Sequence, residues 1–439
     1  MNENNQEEKF DHDGSLNIND FEEDRRLKSK KKTIITLTAS IIIIALLIAL
    51  TFSSEFKSFC FKKRYDIHDT SILRAIKSNF IQDVDIMDQY DDLSFTVDNI
   101  IIDKSRMVIF YTIENKGAHK YIEWFDYEVL DEMGNNIKAC NQYPDYSDID
   151  LSKTKKIHDK FSLILSPEIE IPSHISVEVK IKESQYSYEE YRDIKDDNNI
   201  QESKELPYTW KIDIPIDKEL FSKKKKISYD INKSVEMEGQ TVFFDKLTIY
   251  PTTAILDIHY DKNNTMKIFS IQDLKLVAGD EDFTPGLNGL VSTNPDEFTR
   301  NFYFKSSYFK KANEELYIMG NGIKCIEKEK LDVVVDMENN KLLKSPDKNL
   351  ILREIRDDGD AYTIFFEYIG DGLTFDFDFM NAKGESLHAE SIGNSYREEN
   401  RTAEIRYTVP KSQNLKSPIT LKIDDFPDMI VKPFKIEIK

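Results

Sequence analysis

The chain has 439 residues, with Lys+Arg 60 against Asp+Glu 80 and a net charge of -20. That acidic balance argues against nucleic acid as a partner, because phosphate binding needs a basic footprint. Cys60, Cys140 and Cys325 are odd in number and far apart, so a disulfide framework is not what holds the domains; free or partly buried thiols remain, with pairing of Cys60 between neighbouring molecules as the alternative.

Residues 1–32 form a short arm whose first part carries Glu3, Glu7, Glu8, Asp11, Asp13, Asp20, Glu22, Glu23 and Asp24. Its apolar content is too low to offset chain entropy, which predicts disorder until a partner is met. Leu16, Ile18 and Phe21 are its clustered apolar residues and the candidate partner-binding anchors.

The run 33–54 is apolar and uncharged. At about 1.5 Å per residue it reaches about 30 Å, the thickness of a bilayer's hydrocarbon core, so one transmembrane helix is expected there. A signal peptide is the competing reading, but its apolar core is shorter and ends at a small-residue cleavage site, which Leu50-Thr51-Phe52-Ser53-Ser54 does not resemble. Arg25, Arg26, Lys28 and Lys30 to Lys32 cluster before the run, which by the positive-inside rule places the arm in the cytoplasm and everything after Glu55 outside the cell membrane.

Beyond the span, 71–90 carries Ile72, Leu73, Ile76, Phe80 and Ile81 at helical spacing and is expected to be a juxtamembrane helix. The period then changes to two. FTVDNIIIDKSRMVIFYTIEN reads as two strands with a hairpin turn at 103–106. VFFDKLTIYPTTAILDIHYDK aligns on it without a gap, Asp98 over Asp245 and Val108 over Ile255, and LILREIRDDGDAYTIFFEY is a weaker third copy. Self-similarity of this kind predicts tandem copies of one β module. Each module is expected to close on an alternating strand: WKIDIPI, LDVVVD and FKIEI.

The fold class is therefore mainly β, tandem sandwich modules outside the membrane behind one N-terminal transmembrane helix. The expected divisions are 55–222 for the juxtamembrane helix and first β-sandwich, 227–343 for the second and 349–439 for the third, with polar linkers SKKKK and LKSPDKN between them.

No nucleophile-elbow, zincin, P-loop or dinucleotide motif is present, so no enzyme, catalytic residue, cofactor or metal site is expected. The histidines are isolated from one another. Acidic groups such as Asp145, Asp148 and Asp150, Asp280 to Asp282, Asp357, Asp358 and Asp360 could supply calcium ligands, yet DDGD lies where the repeat needs a turn. In TFDFDF, alternation puts Phe375, Phe377 and Phe379 on one face. Tyr186, Tyr188 and Tyr191 could stack on sugars or peptides, and Lys223 to Lys226 could touch anionic wall polymer, but core pairing and a solvated linker are the ordinary explanations.

The arm, the span, the helix and FTVDNIIIDKSRMVIFYTIEN together resemble Firmicutes membrane proteins of domain-of-unknown-function family 4179, many of them described as anti-sigma factors for extracytoplasmic-function sigma factors. SVEMEGQTVFFDKLTIYPTTAILDIHYD resembles the immunoglobulin-like module of family 5643 that often follows it. The resemblance implies immunoglobulin-like sandwiches and a signalling role, and it carries over no catalytic residues. The arm has His12 but no cysteine, unlike zinc-type anti-sigma domains. Two readings follow. In the first, exported modules sense the envelope and the arm holds an extracytoplasmic-function sigma factor. In the second, the protein is an anchored surface module that binds an envelope protein, peptide or wall polymer. Both count the lipid bilayer as a partner.

Overall fold

The computed structural model describes residues 53–439 except 138–148, 152, 166–169, 188–189, 191–203, 288–289, 310–314, 371, 400 and 414, together with Arg26, Lys32, Thr36 and Thr38. Leu16, Ile18, Phe21, Cys140 and nearly all of the run 33–54 lie outside the described residues. Among the described residues no helix is long and apolar enough to cross a membrane.

The rest is mainly β, arranged as paired sheets around three successive cores. Two helices come first, α1 (Ser54–Arg64) and α2 (Thr70–Lys77). The expected helix over 71–90 is thus shorter than the apolar spacing suggested. Asn79 turns the backbone left-handed at φ 55, and QDVDIMDQY then alternates in polarity and pairs as the edge strand Gln82–Tyr90. Ile72, Ile76, Phe80 and Ile81 are buried as the spacing required, whereas Leu73 is only partly buried against the core.

In the first core, the sheet of Gln82–Tyr90, Leu93–Ile102, Arg106–Asn115 and Lys156–Ile164 faces the sheet of Ile149–Asp150, Tyr121–Asp131, His174–Ser184 and Lys204–Pro215. Almost every residue of the Leu93–Ile102 and Arg106–Asn115 hairpin is buried, because the second sheet covers one face and α1 and α2 cover the other. That explains why Ile100 to Ile102 and Met107 to Tyr111, on either side of the turn, read as continuous apolar runs where the period of two predicts alternation. A short helix, α3 (Lys218–Ser222), closes this core by setting Phe221 edge-on against Phe80.

The three copies of the hairpin share a feature beyond alternation. Each carries a β-bulge at the aligned position, Asp98, Asp245 and Arg353. In each, the bulged side chain reaches the same place on the partner strand: Asp98 accepts from Thr112 Oγ1 at 2.6 Å, Asp245 meets His259 Nδ1 at 2.8 Å, and Arg353 pairs with Glu367. A bulge turns the extra residue out of the pleat, and a polar cross-strand partner satisfies it there.

The expected closing strands divide differently. WKIDIPI lies in the first core, in Lys204–Pro215. LDVVVD, as Asp332–Asp336, pairs with Ile419–Asp425 in the third core, whereas FKIEI, as part of Met429–Glu437, crosses back to pair with Leu316–Glu327 of the second. The cores thus exchange closing strands. Alternation fixes which face of a strand is apolar but not which sheet it joins. Gly320 and Gly322 of GNG make room for the crossing strand: a Cβ on Gly320 would lie 2.6 Å from the Phe434 ring, and one on Gly322, at φ 151, would lie 2.0 Å from the Ile430 carbonyl oxygen. Lys233 Nζ and Lys432 Nζ tie the same strand to the opposite sheet, through the carbonyls of Glu437 at 2.6 Å and Glu236 at 2.7 Å.

Phe375, Phe377 and Phe379 do not share a face. The pairing is irregular between Phe375 and Phe379, and Phe377 turns outward, 45% exposed, to stack on His388 at 5.6 Å.

Candidate functional site: a polar joint around helix α2

Helix α2 begins at Asp69, whose carboxylate caps it by accepting from Ser71 N at 2.8 Å. The other oxygen of the same carboxylate meets Arg106 at 2.7 Å, and the Arg106 side chain is only 1% exposed. Burial raises the proton affinity of Asp69, but Arg106 and the Ser71 donors together outweigh it and hold the carboxyl below its usual range. Arg106 stands at the turn of the first hairpin, so the cap of the helix and the turn of the sheet are one ion pair.

The second core enters at the same place. Asp103, two residues before Ser105 in that turn, accepts from Ser105 N, Ser105 Oγ and Arg106 N through Oδ1, and from Thr252 N and Thr252 Oγ1 at 2.8 Å each through Oδ2. Thr252 lies in the turn of the second hairpin, YPTT, so the corresponding turns of two repeat copies meet tip to tip. Ser71 Oγ donates to the Thr252 carbonyl at 3.0 Å, and Arg74 reaches the Ser306 carbonyl at 3.3 Å while ion-pairing with Glu281. An apolar patch of Ile164, Tyr250, Ile255, Leu287 and Tyr303 lies beside these contacts. Burial, then the Asp103 charge, pushes the Tyr250 hydroxyl's pKa up.

A second polar cluster fastens the end of α1. Tyr65 donates to Asp98 at 2.9 Å, Arg64 lies 3.6 Å from the same carboxylate and 3.3 Å from His158 Nδ1, and that nitrogen is 2.7 Å from Thr112 Oγ1. Burial and then the Arg64 charge lower the His158 pKa. Both helices are therefore locked to the first sheet by charged groups, and α2 is locked to the second core as well.

This arrangement fastens two helices and the turns of two hairpins to one another. Among the described residues no group of three or more His, Cys, Asp or Glu is placed to hold a metal. The acidic turn DDGD instead engages cations: Asp358 pairs with Arg356 and Asp357 with Lys411. Cys325 is buried with its sulfur 3.5 Å from that of Met266, and burial pushes its thiol up to about 11. Cys60 is exposed. Tyr186 is described and partly exposed, whereas Tyr188 and Tyr191 lie outside the described residues. Sequence reasoning marked 103–106 as a turn but not as a joint. The available signal was a turn carrying Asp, Ser and Arg directly between the apolar runs Ile100 to Ile102 and Met107 to Tyr111, where a buried charge must have partners.

Residues 27–115 match the Domain of unknown function (DUF4179), and residues 226–346 match the Family of unknown function (DUF5643). The order is the one the resemblance implied. The first match takes in the apolar run, both helices and the first hairpin; the second takes in most of the second core and the strand Asp332–Asp336 of the third. No curated protein matches the chain. A crystal structure of a conserved domain protein from Bacillus anthracis is similar at 11% identity and a TM-score of 0.37, covering 82% of this chain and 92% of that one.

Proposed function

We propose that this chain, a DUF4179 segment followed by a DUF5643 segment, is a single-pass membrane signalling protein: an envelope sensor of the anti-sigma-factor type. Its tandem immunoglobulin-like sandwiches lie outside the cell membrane and its arm 1–32 in the cytoplasm. The observation that supports this reading is the fastening of α1 and α2. The chain leaves the apolar run 33–54 at Ser53, enters α1 at once, and within α2 is bound to the first hairpin through Asp69 and Arg106 and to the second core through Ser71 and Arg74. A displacement of the outer cores would therefore reach the end of the span without passing through a loose linker. Signalling further requires that an outer ligand bind two arrangements unequally.

On this reading the arm orders on a sigma factor through Leu16, Ile18 and Phe21, with Asp20, Glu22 and Glu23 attracted to a basic surface. The test is co-purification of sigma factors with the full-length protein, wild type beside Leu16→Ser/Ile18→Ser/Phe21→Ser. Each anchor would contribute about 1 to 2 kcal/mol, so the triple variant should lose at least about tenfold in capture. Wild-type protein that captures no sigma factor would leave the anchored surface-binding module as the reading to hold.

A further inference from the structure

Among the described residues, one face of α1 has no partner. Phe61, on the inner side, packs on Tyr65 at 5.5 Å and on Phe110 at 5.7 Å, and Ser58 Oγ donates to the Leu73 carbonyl. On the outer side Phe56 is 39% and Phe59 62% exposed, Cys60 is exposed, and Lys63 follows. Positions 56, 59, 60 and 63 stand at i, i+3, i+4 and i+7, so they form one stripe along the helix. Phe56, Phe59 and Cys60 make it an apolar stripe turned to solvent that ends in Lys63, on a helix whose other side packs Phe61 against the core.

What surrounds the stripe indicates its occupant. Lys57, Lys62 and Lys63 flank it, and Glu55, the acidic residue of the helix, is ion-paired with Lys77. Arg64 is turned away to Asp98 and His158. A cationic rim is thus found on a protein whose net charge is -20. The chain before α1 is the apolar run 33–54, and it ends where the helix begins. Ser53, with φ -74 and ψ 136, is extended and caps α1 by accepting from Phe56 N at 3.1 Å. With extended backbone at Ser53, α1 begins a helix axis of its own at the end of the run, and a turn at the level of the headgroups lets a helix lie along the bilayer.

We propose that α1 lies on the outer surface of the bilayer that holds the span, with Phe56, Phe59 and Cys60 at the boundary of headgroups and acyl chains and Lys57, Lys62 and Lys63 on anionic headgroups. Aromatic side chains and lysines suit this depth, since the rings have an apolar body and the ammonium groups can reach water. The proposal rests on the membrane reading above. It adds that α1 is held on two sides, by the first sheet and by lipid, so that the first core is fixed in orientation against the membrane.

The test uses the full-length chain carrying Phe59→Trp, reconstituted into vesicles of phosphatidylcholine and phosphatidylglycerol with brominated acyl chains. The fluorescence added by Phe59→Trp should be quenched at least about twofold, as burial by about 5–10 Å into the interface requires, while that added by Tyr396→Trp on the third core is not. Lys57→Gln/Lys62→Gln/Lys63→Gln should reduce the quenching, and an unchanged value would overturn the assignment to anionic lipid. Absence of quenching in protein that resists alkaline extraction overturns the proposal and leaves the membrane reading standing. Protein released by alkaline extraction overturns both. Absence of quenching with rapid oxidative cross-linking through Cys60 assigns the stripe to a second copy instead. Circular dichroism of each variant separates these outcomes from misfolding, since the substituted positions lie outside the core.

Discussion

The first and second cores are joined by side chains, the second and third by an added strand together with the Lys324–Asp425 pair. At the first junction Asp69, Arg106, Asp103, Thr252, Arg74 and Glu281 form a polar network around α2. At the second, Met429–Glu437 crosses over and adds a strand to Leu316–Glu327. A side-chain network depends on the charge state and identity of a few groups. An added strand is held by main-chain hydrogen bonds and tolerates most side-chain changes, except where a Cβ would occupy the space the backbone needs.

The largest effect is expected from cutting the backbone junction. Deleting 429–439 removes Ile430 and Ile436 from the second core, at about 1.5–3 kcal/mol each, and leaves the outer edge of Leu316–Glu327 unpaired. Urea unfolding followed by hydrogen exchange should show the second core opening well before the first. If both open together as in wild type, the exchanged strand is not what completes that core.

Next is the side-chain junction. Arg106→Ala strands the Asp69 carboxylate, 11% exposed, and should cost about 3–5 kcal/mol. The pH dependence has a defined sign. Because the folded Asp69 pKa is lowered, its contribution is present above the ordinary carboxylate value and is lost as the pH falls through the folded one. Asp69→Asn should therefore flatten the acid limb of stability, and an unchanged limb would separate the carboxylate from the joint.

Gly322→Ala tests the backbone junction more gently. With φ 151 and the Ile430 carbonyl in the way, the substitution should cost about 1–3 kcal/mol, read as a lower urea midpoint with unchanged slope. The repeat then offers an internal contrast at a single aligned position. Asp98→Ala, buried, strands the Tyr65 hydroxyl and leaves Thr112 only His158, and should cost about 1–3 kcal/mol, whereas Arg353→Ala removes an exposed pair and should cost under about 1 kcal/mol. Equal costs would show that the bulge rather than its surroundings sets the energy.

The smallest effect concerns His158. Its folded pKa lies below the ordinary imidazole value of about 6.5, so stability is full above that value and declines as the pH drops through the folded one. His158→Asn should remove this slope in melts between neutral and mildly acidic pH. A slope that survives belongs to another group.

Much of this was legible in the chain. The three hairpins, the gapless alignment of the first two and most of the buried positions of α2 follow from spacing, because spacing dictates which side of an element is apolar. Even the bulge partners were in register, with Thr112, His259 and Glu367 equally placed after Asp98, Asp245 and Arg353. Yet nothing local marked those three residues as bulged, since Asp or Arg on the polar side of a regular strand looks the same. Phe377 was misplaced for the same reason: the irregular pairing between Phe375 and Phe379 turns Phe377 outward while both of those rings stay in the core.

By itself, then, the sequence determined the β class, the repeat, the helical face of α2 and the apolar run before α1, all of which depend on residues near one another along the chain. The tertiary structure decided the exchange of LDVVVD and FKIEI between cores and the meeting of the turns at Asp103 and Thr252. Those depend on pairing between segments far apart, where many partners offer the same alternation. The choice among them is made by where a glycine leaves room for backbone and where a buried charge finds its counterpart.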